Sequence, residues 1–122
     1  MSLYQAIATR YIMSILSSIK KNMVVVISKK TCIYCVKLKE LLNSKKIPYV
    51  NIGLENYMEM YDDEDIEYIK SKWNIKTYPI TFIDGEFIGD YNAIEKMNTF
   101  GDLDIKLKNK GIEYIPNDDV EF

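Results

Sequence analysis

Cys32 and Cys35 are the only two cysteines in a chain of 122 residues that has no histidine. Three positions apart, they have one direct chemical use: a thiolate attacks a disulfide, and a neighbouring thiol resolves the mixed disulfide that results. A sulfur at the opening of a helix is favoured as the thiolate, because unpaired N–H groups and the helix dipole point towards it. Cys32 is therefore the expected nucleophile. Cys35, one turn further along, is the expected resolving thiol. The same spacing also makes half of a zinc site or two small buried apolar residues. A structural zinc needs four ligands, which this pair cannot supply without carboxylates or a partner chain. The missing histidine removes the base from serine and cysteine hydrolase triads. Two cysteines are also too few for a disulfide-stapled secreted scaffold.

The charge pattern bears on the same chemistry. Residues 20–46 hold eight lysines against one acid, Glu40, and both cysteines lie among them. Such a stretch favours thiolates and anionic substrates, although charge runs more often mark solvated faces. From 55 to 67 the sign reverses, with seven acids and no base, a plausible partner-facing surface or simply a solvated one. The lysines are not interleaved with aromatics as a stacking platform and the net charge is -2, so nucleic acid is not an expected partner.

A strand-to-helix turn must position the pair, and the pattern around it provides one. Met23 to Ile27 is a continuous, mostly β-branched run, the mark of a strand buried on both faces. Val36, Leu38, Leu41 and Leu42 then follow at helical spacing up to Pro48, and Tyr49 to Ile52 reads as a second strand. Strand, helix, strand over 23–52 is the right-handed unit that sets its two strands parallel. Upstream, Leu3, Ile7, Tyr11, Ile15 and Ile19 predict an amphipathic helix over 3–19. Downstream, Ile66, Ile69 and Trp73 predict a third helix behind Asp62 and Asp63, with Trp73 and Tyr68 as core or surface aromatics. Ile80 to Ile83 and Glu86 to Ile88 flank Asp84-Gly85, a hairpin signal, since both turn positions need positive φ. Short helices are expected around Ala93 to Met97 and over 103–108, with Gly111 as a stop. Length and a hydrophobic share of 48% predict one soluble domain over 1–111 and an irregular acidic tail over 112–122.

These motifs resemble those of the glutaredoxin family. Ser28-Lys29-Lys30-Thr31-Cys32-Ile33-Tyr34-Cys35 is similar to a glutaredoxin active site, with lysine three before the first cysteine and an aromatic just before the second. Thr77-Tyr78-Pro79 resembles the family's Thr-Val-Pro, whose proline is cis and faces the cysteines, and Gly89-Asp90-Tyr91-Asn92 stands in place of its Gly-Gly motif. The resemblance covers about residues 3–110 and implies an α/β thioredoxin-like fold, a four-stranded mixed sheet flanked by helices. It implies a dithiol oxidoreductase with an electron-transport role that reduces protein disulfides or glutathione mixed disulfides, with glutathione as the reducing co-substrate and no metal.

Carried over by position, Lys29 would meet the glycyl carboxylate of glutathione, Tyr34 would line its groove, and the Tyr78 backbone before Pro79 would pair with the tripeptide like an added strand. Thr77 would flank that segment. Gly89, Asp90, Tyr91 and Asn92 would receive the γ-glutamyl carboxylate on the N–H groups of a helix start. Three positions depart from the family: Asp90 replaces the second glycine, Ala93 falls where an aspartate often grips the ammonium group, and Ile33 replaces proline. Asp90 could supply the missing carboxylate or repel the substrate's own, which keeps open a dithiol reductase that serves a dedicated protein partner without glutathione. A carrier in which two Cys32 thiolates and glutathione hold an iron–sulfur cluster is the reading from another class. A monomer in the cytoplasm is expected, with no membrane contact, because polar residues interrupt the apolar N-terminal stretch. An organellar location is the alternative, since the chain has no acid before Glu40, as transit peptides do not.

Overall fold

The computed structural model describes residues 15–53, 67 and 70–117. Strand β1 (Val24–Ser28) is buried along its whole length, as its uninterrupted apolar run requires. It lies inside a four-stranded sheet ordered β2-β1-β3-β4. Helix α1 (Ile33–Ser44) crosses from β1 to β2 (Val50–Gly53), which pairs parallel to β1 with Val25 opposite Val50. Strand β3 (Ile80–Ile83) returns antiparallel on the other side of β1, and β4 (Glu86–Gly89) pairs antiparallel with β3. Asp84 and Gly85 join those two strands with φ of 51° and 77°, the paired positive values of a tight hairpin turn.

The two-residue repeat of β1 divides the core. Val25 and Ile27 face Ile15, Ile19, Ile52, Ile75, Ile80 and Phe82. Val24 and Val26 face Leu38 and Leu42 of α1, Ile94 of α2 (Tyr91–Thr99), and Leu103 and Leu107 of α3 (Asp102–Asn109). Trp73 packs edge-on against Phe82 with ring centroids 5.0 Å apart, which settles it as a core aromatic. Helices thus flank the mixed sheet, as expected. Residues 15–21 are helical, in line with the end of the helix expected over 3–19, and the rest of that stretch lies outside the described residues. Of the helix expected to lead into Trp73, residues 67 and 70–72 are helical; Ile66, Tyr68, Ile69 and the acidic run before Glu67 lie outside them. No helix among the described residues is long and apolar enough to cross a membrane.

Residues 112–117 carry almost no regular structure, yet they are tied down. Ile112 and Tyr114 pack on the α-helical side of the core, and the Ile115 N–H donates to the Lys45 carbonyl at 2.7 Å. Asn117 donates its backbone N–H to Asp104 Oδ2 at 3.2 Å and its side-chain amide to the Asn98 carbonyl at 2.8 Å. At the centre is Lys45, just past the end of α1 and only 1% exposed. Its ammonium donates to Asn117 Oδ1 at 2.6 Å, lies 2.6 Å from Asp104 Oδ1 and sits 5.8 Å from the centre of the Tyr114 ring. A buried cation needs such a set of partners, because leaving water costs it several kcal/mol.

Candidate active site

β1 ends at Ser28 and α1 begins at Ile33, so the segment between them sets the nucleophile's pose. Thr31 has φ of 53°, an unusual left-handed conformation for a β-branched residue that costs about 1–2 kcal/mol. Its hydroxyl donates to the Lys30 carbonyl at 2.7 Å. Cys32 then caps α1 with an extended backbone, its sulfur accepting the Cys35 N–H at 3.2 Å. A sulfur in that position takes up one of the donors a helix start leaves unpaired. The Cys32 thiol also points to the Tyr78 carbonyl at 3.7 Å, which brings the turn before Pro79 against the cysteines. The Tyr78-Pro79 peptide is cis.

The two sulfurs sit in different surroundings. Both are free thiols, Cys32 half-buried and Cys35 buried. Burial pushes the Cys35 thiol up to about 11, with the hydrogen bond to Cys32 adding to the effect. The backbone at Lys29 and the charge of Lys39 act in the opposite direction. Cys35 therefore stays protonated at neutral pH. In Cys32→Ser protein the burial, which is the largest cause, remains, so alkylation of Cys35 at pH 8 to 9 should stay slower than that of a free thiol, and a free-thiol rate there would refute this. The sign for stability follows: the buried neutral thiol favours the fold fully below its ordinary value of 9.0, and that contribution is lost as the pH climbs towards 11.

Tyr34, Thr77, Tyr78, Asp90, Tyr91 and Asn92 line one cleft of about 140 Å³. Six residues expected at the site thus converge, although they come from α1, the β3 approach and the start of α2. Lys29 is exposed, and its ammonium lies 5.4 Å from the centre of the Tyr78 ring. Gly89 and Pro79 are buried and shape the backbone instead of lining the cleft. At Gly89 φ is 137°, and a Cβ would come within 2.9 Å of the Ala93 Cβ, so glycine is required there. Asp90 caps α2: Oδ1 accepts the Ala93 N–H at 3.0 Å, and Oδ2 accepts the Thr77 hydroxyl at 3.3 Å. This moves the helix start two residues ahead of the expected Ala93.

The sequence patterns assigned no role to three side chains that meet where β1 ends: Ser28, Asn51 and Lys39. Buried Ser28 donates to Asn51 Oδ1 at 2.8 Å and accepts from the Lys39 ammonium at 3.5 Å, which carries a positive charge under Cys35. A hydroxyl that ends an otherwise apolar strand was the available signal, since a buried hydroxyl needs a partner.

On this sheet order, with the sulfur pair at the first strand-to-helix turn, the chain takes its place among the thiol–disulfide oxidoreductases of thioredoxin-like fold. The glutaredoxin family model matches residues 24–88. Glutaredoxin 1 of Rickettsia conorii is 32% identical over 71% of this chain and 82% of that protein. Oxidized glutaredoxin 2 from Chlamydomonas reinhardtii superposes with a TM-score of 0.71 at 28% identity, covering 85% of this chain and 96% of that one. The buckwheat glutaredoxin–glutathione complex superposes with a TM-score of 0.73 at 24% identity, covering 87% and 94%. The chain belongs to the glutaredoxin family.

Proposed function

We propose that this oxidoreductase uses both cysteines to reduce protein disulfides or glutathione mixed disulfides, and that glutathione restores it. The observation that carries the reading is the half-exposed Cys32 sulfur against the Tyr78 carbonyl, with a buried protonated thiol one turn behind it. The Cys32 thiolate attacks a substrate sulfur, the S–S bond breaks, and the leaving thiolate departs with the bonding pair and takes up a proton. Cys35 then gives up its proton and displaces the second half, leaving a Cys32–Cys35 disulfide. Two glutathione molecules return the two electrons and leave as glutathione disulfide.

When Cys32 is a thiolate it no longer donates to Tyr78, so that carbonyl is free to accept an N–H from an extended peptide. Lys29, exposed at the end of β1, offers its ammonium to a carboxylate of the same peptide. The glutathione bound to the buckwheat neighbour supports this choice of reductant. Titration of the reduced protein with glutathione to millimolar concentration, followed by NMR, should saturate. Lys29→Ala should weaken that binding about two- to fivefold, the range of an exposed ion pair, with kcat unchanged. A titration without saturation would transfer the reaction to a dedicated protein reductant.

A further inference from the structure

A bare helix start attracts anions through its free N–H groups. The start of α2 is already taken by the chain's own carboxylate, because Asp90 occupies the Ala93 N–H and the Thr77 hydroxyl. That carboxylate shares the cleft beside Cys32 with Tyr34, Tyr78 and Tyr91. Tyrosine faces attract cations. The chain's own ammonium groups show the tendency, with Lys29 5.4 Å from the Tyr78 ring centre and Lys37 5.2 Å from that of Tyr34. The Tyr34 and Tyr91 rings stand 5.8 Å apart, and both line the cleft that holds the negative charge.

We propose that Asp90 is a specificity-determining residue: it selects disulfides whose cleft-seated half carries an ammonium or guanidinium near the sulfur, and disfavours those with a carboxylate there. The inference rests on the dithiol reaction above and names its preferred substrate class. Cys32 attacks the sulfur of the seated half and the other half leaves with the bonding pair. Cys35 then displaces the seated, cationic thiol. The dithiol loses two electrons, the substrate gains two, and two glutathione molecules supply their replacement.

Three small symmetric disulfides test it, because whichever half is seated carries the same charge: cystamine (cationic), bis(2-hydroxyethyl) disulfide (neutral) and 3,3′-dithiodipropionate (anionic). Each is assayed for kcat and KM with glutathione as reductant, in wild type and in Asp90→Asn, which keeps a capping oxygen for the Ala93 N–H and loses the charge. The cystamine-to-dithiodipropionate ratio of kcat/KM should fall about fivefold in the variant, mainly through KM, and the difference should shrink at high salt. Asp90→Ser, a second neutral cap, should show the same fall if the asparagine variant folds poorly. Turnover with an unchanged ratio in a folded neutral variant overturns this inference alone. No wild-type turnover of any of the three overturns it together with the reading it rests on.

Discussion

Cys32→Ser is expected to abolish disulfide reduction, and Cys35→Ser is not. A serine hydroxyl at position 32 stays protonated at neutral pH, and the chain has no histidine to take its proton. Activity should drop at least about 10³-fold on every substrate, as losses of a covalent nucleophile do. Cys35→Ser leaves the half-exposed sulfur of Cys32 in place. A glutathione mixed disulfide on Cys32 can then be resolved by a second glutathione, so deglutathionylation of a glutathionylated peptide should persist while reduction of protein disulfides falls sharply. A coupled glutathione assay on both substrates separates the two steps. Equal loss in both variants on the glutathionylated peptide would contradict a monothiol step and make Cys35 part of the first attack.

The second large effect concerns stability. Asp104→Ala should destabilise the fold by about 3–5 kcal/mol, the cost of stranding a buried charge. The contact it breaks is ionic, with Lys45 Nζ 2.6 Å from Asp104 Oδ1 and the ammonium only 1% exposed. Asp104 also accepts the Asn117 N–H, so the variant loosens residues 112–117 as well. Removing both charges together, as Lys45→Met with Asp104→Leu, should recover the part of the loss due to the stranded ammonium, while Asn117 still lacks the two bonds it made to Lys45 and Asp104. Urea unfolding of both single variants and the pair measures this coupling. A double variant as unstable as Asp104→Ala would assign the loss to packing instead of charge.

How far these features could be read from the sequence depended on whether they were local. β1 and the hairpin were legible because an apolar run and Asp-Gly each state their geometry within a few residues, and Asp84 and Gly85 took the positive φ that the turn demands. The convergence of Tyr34, Thr77, Tyr78 and Asp90 on one cleft came through family motifs, since residues this far apart in the chain carry no periodic signal of contact. Lys45 was not legible. It sits beside Lys46 in a lysine-rich stretch, yet one is sealed inside and the other is exposed, a difference that depends on Asp104 and Asn117 arriving from later in the chain. Thr31 was hidden for another reason: nothing in a threonine's type announces a φ of 53°, which the connection from β1 into α1 imposes. Asp90 was expected at the site with its direction open, and its capping bond to Ala93 now gives that direction.

Helix α1 has Cys32 at its first end and Lys45 at its last. Its twelve residues make a rod about 18 Å long. A tilt of only about 3° about the far end would swing the sulfur by about 1 Å, a displacement that costs reactions of this kind about a hundredfold. The bolt that holds the lever's heel, made of Lys45, Asp104 and Asn117, is therefore a determinant of chemical aim as well as of folding.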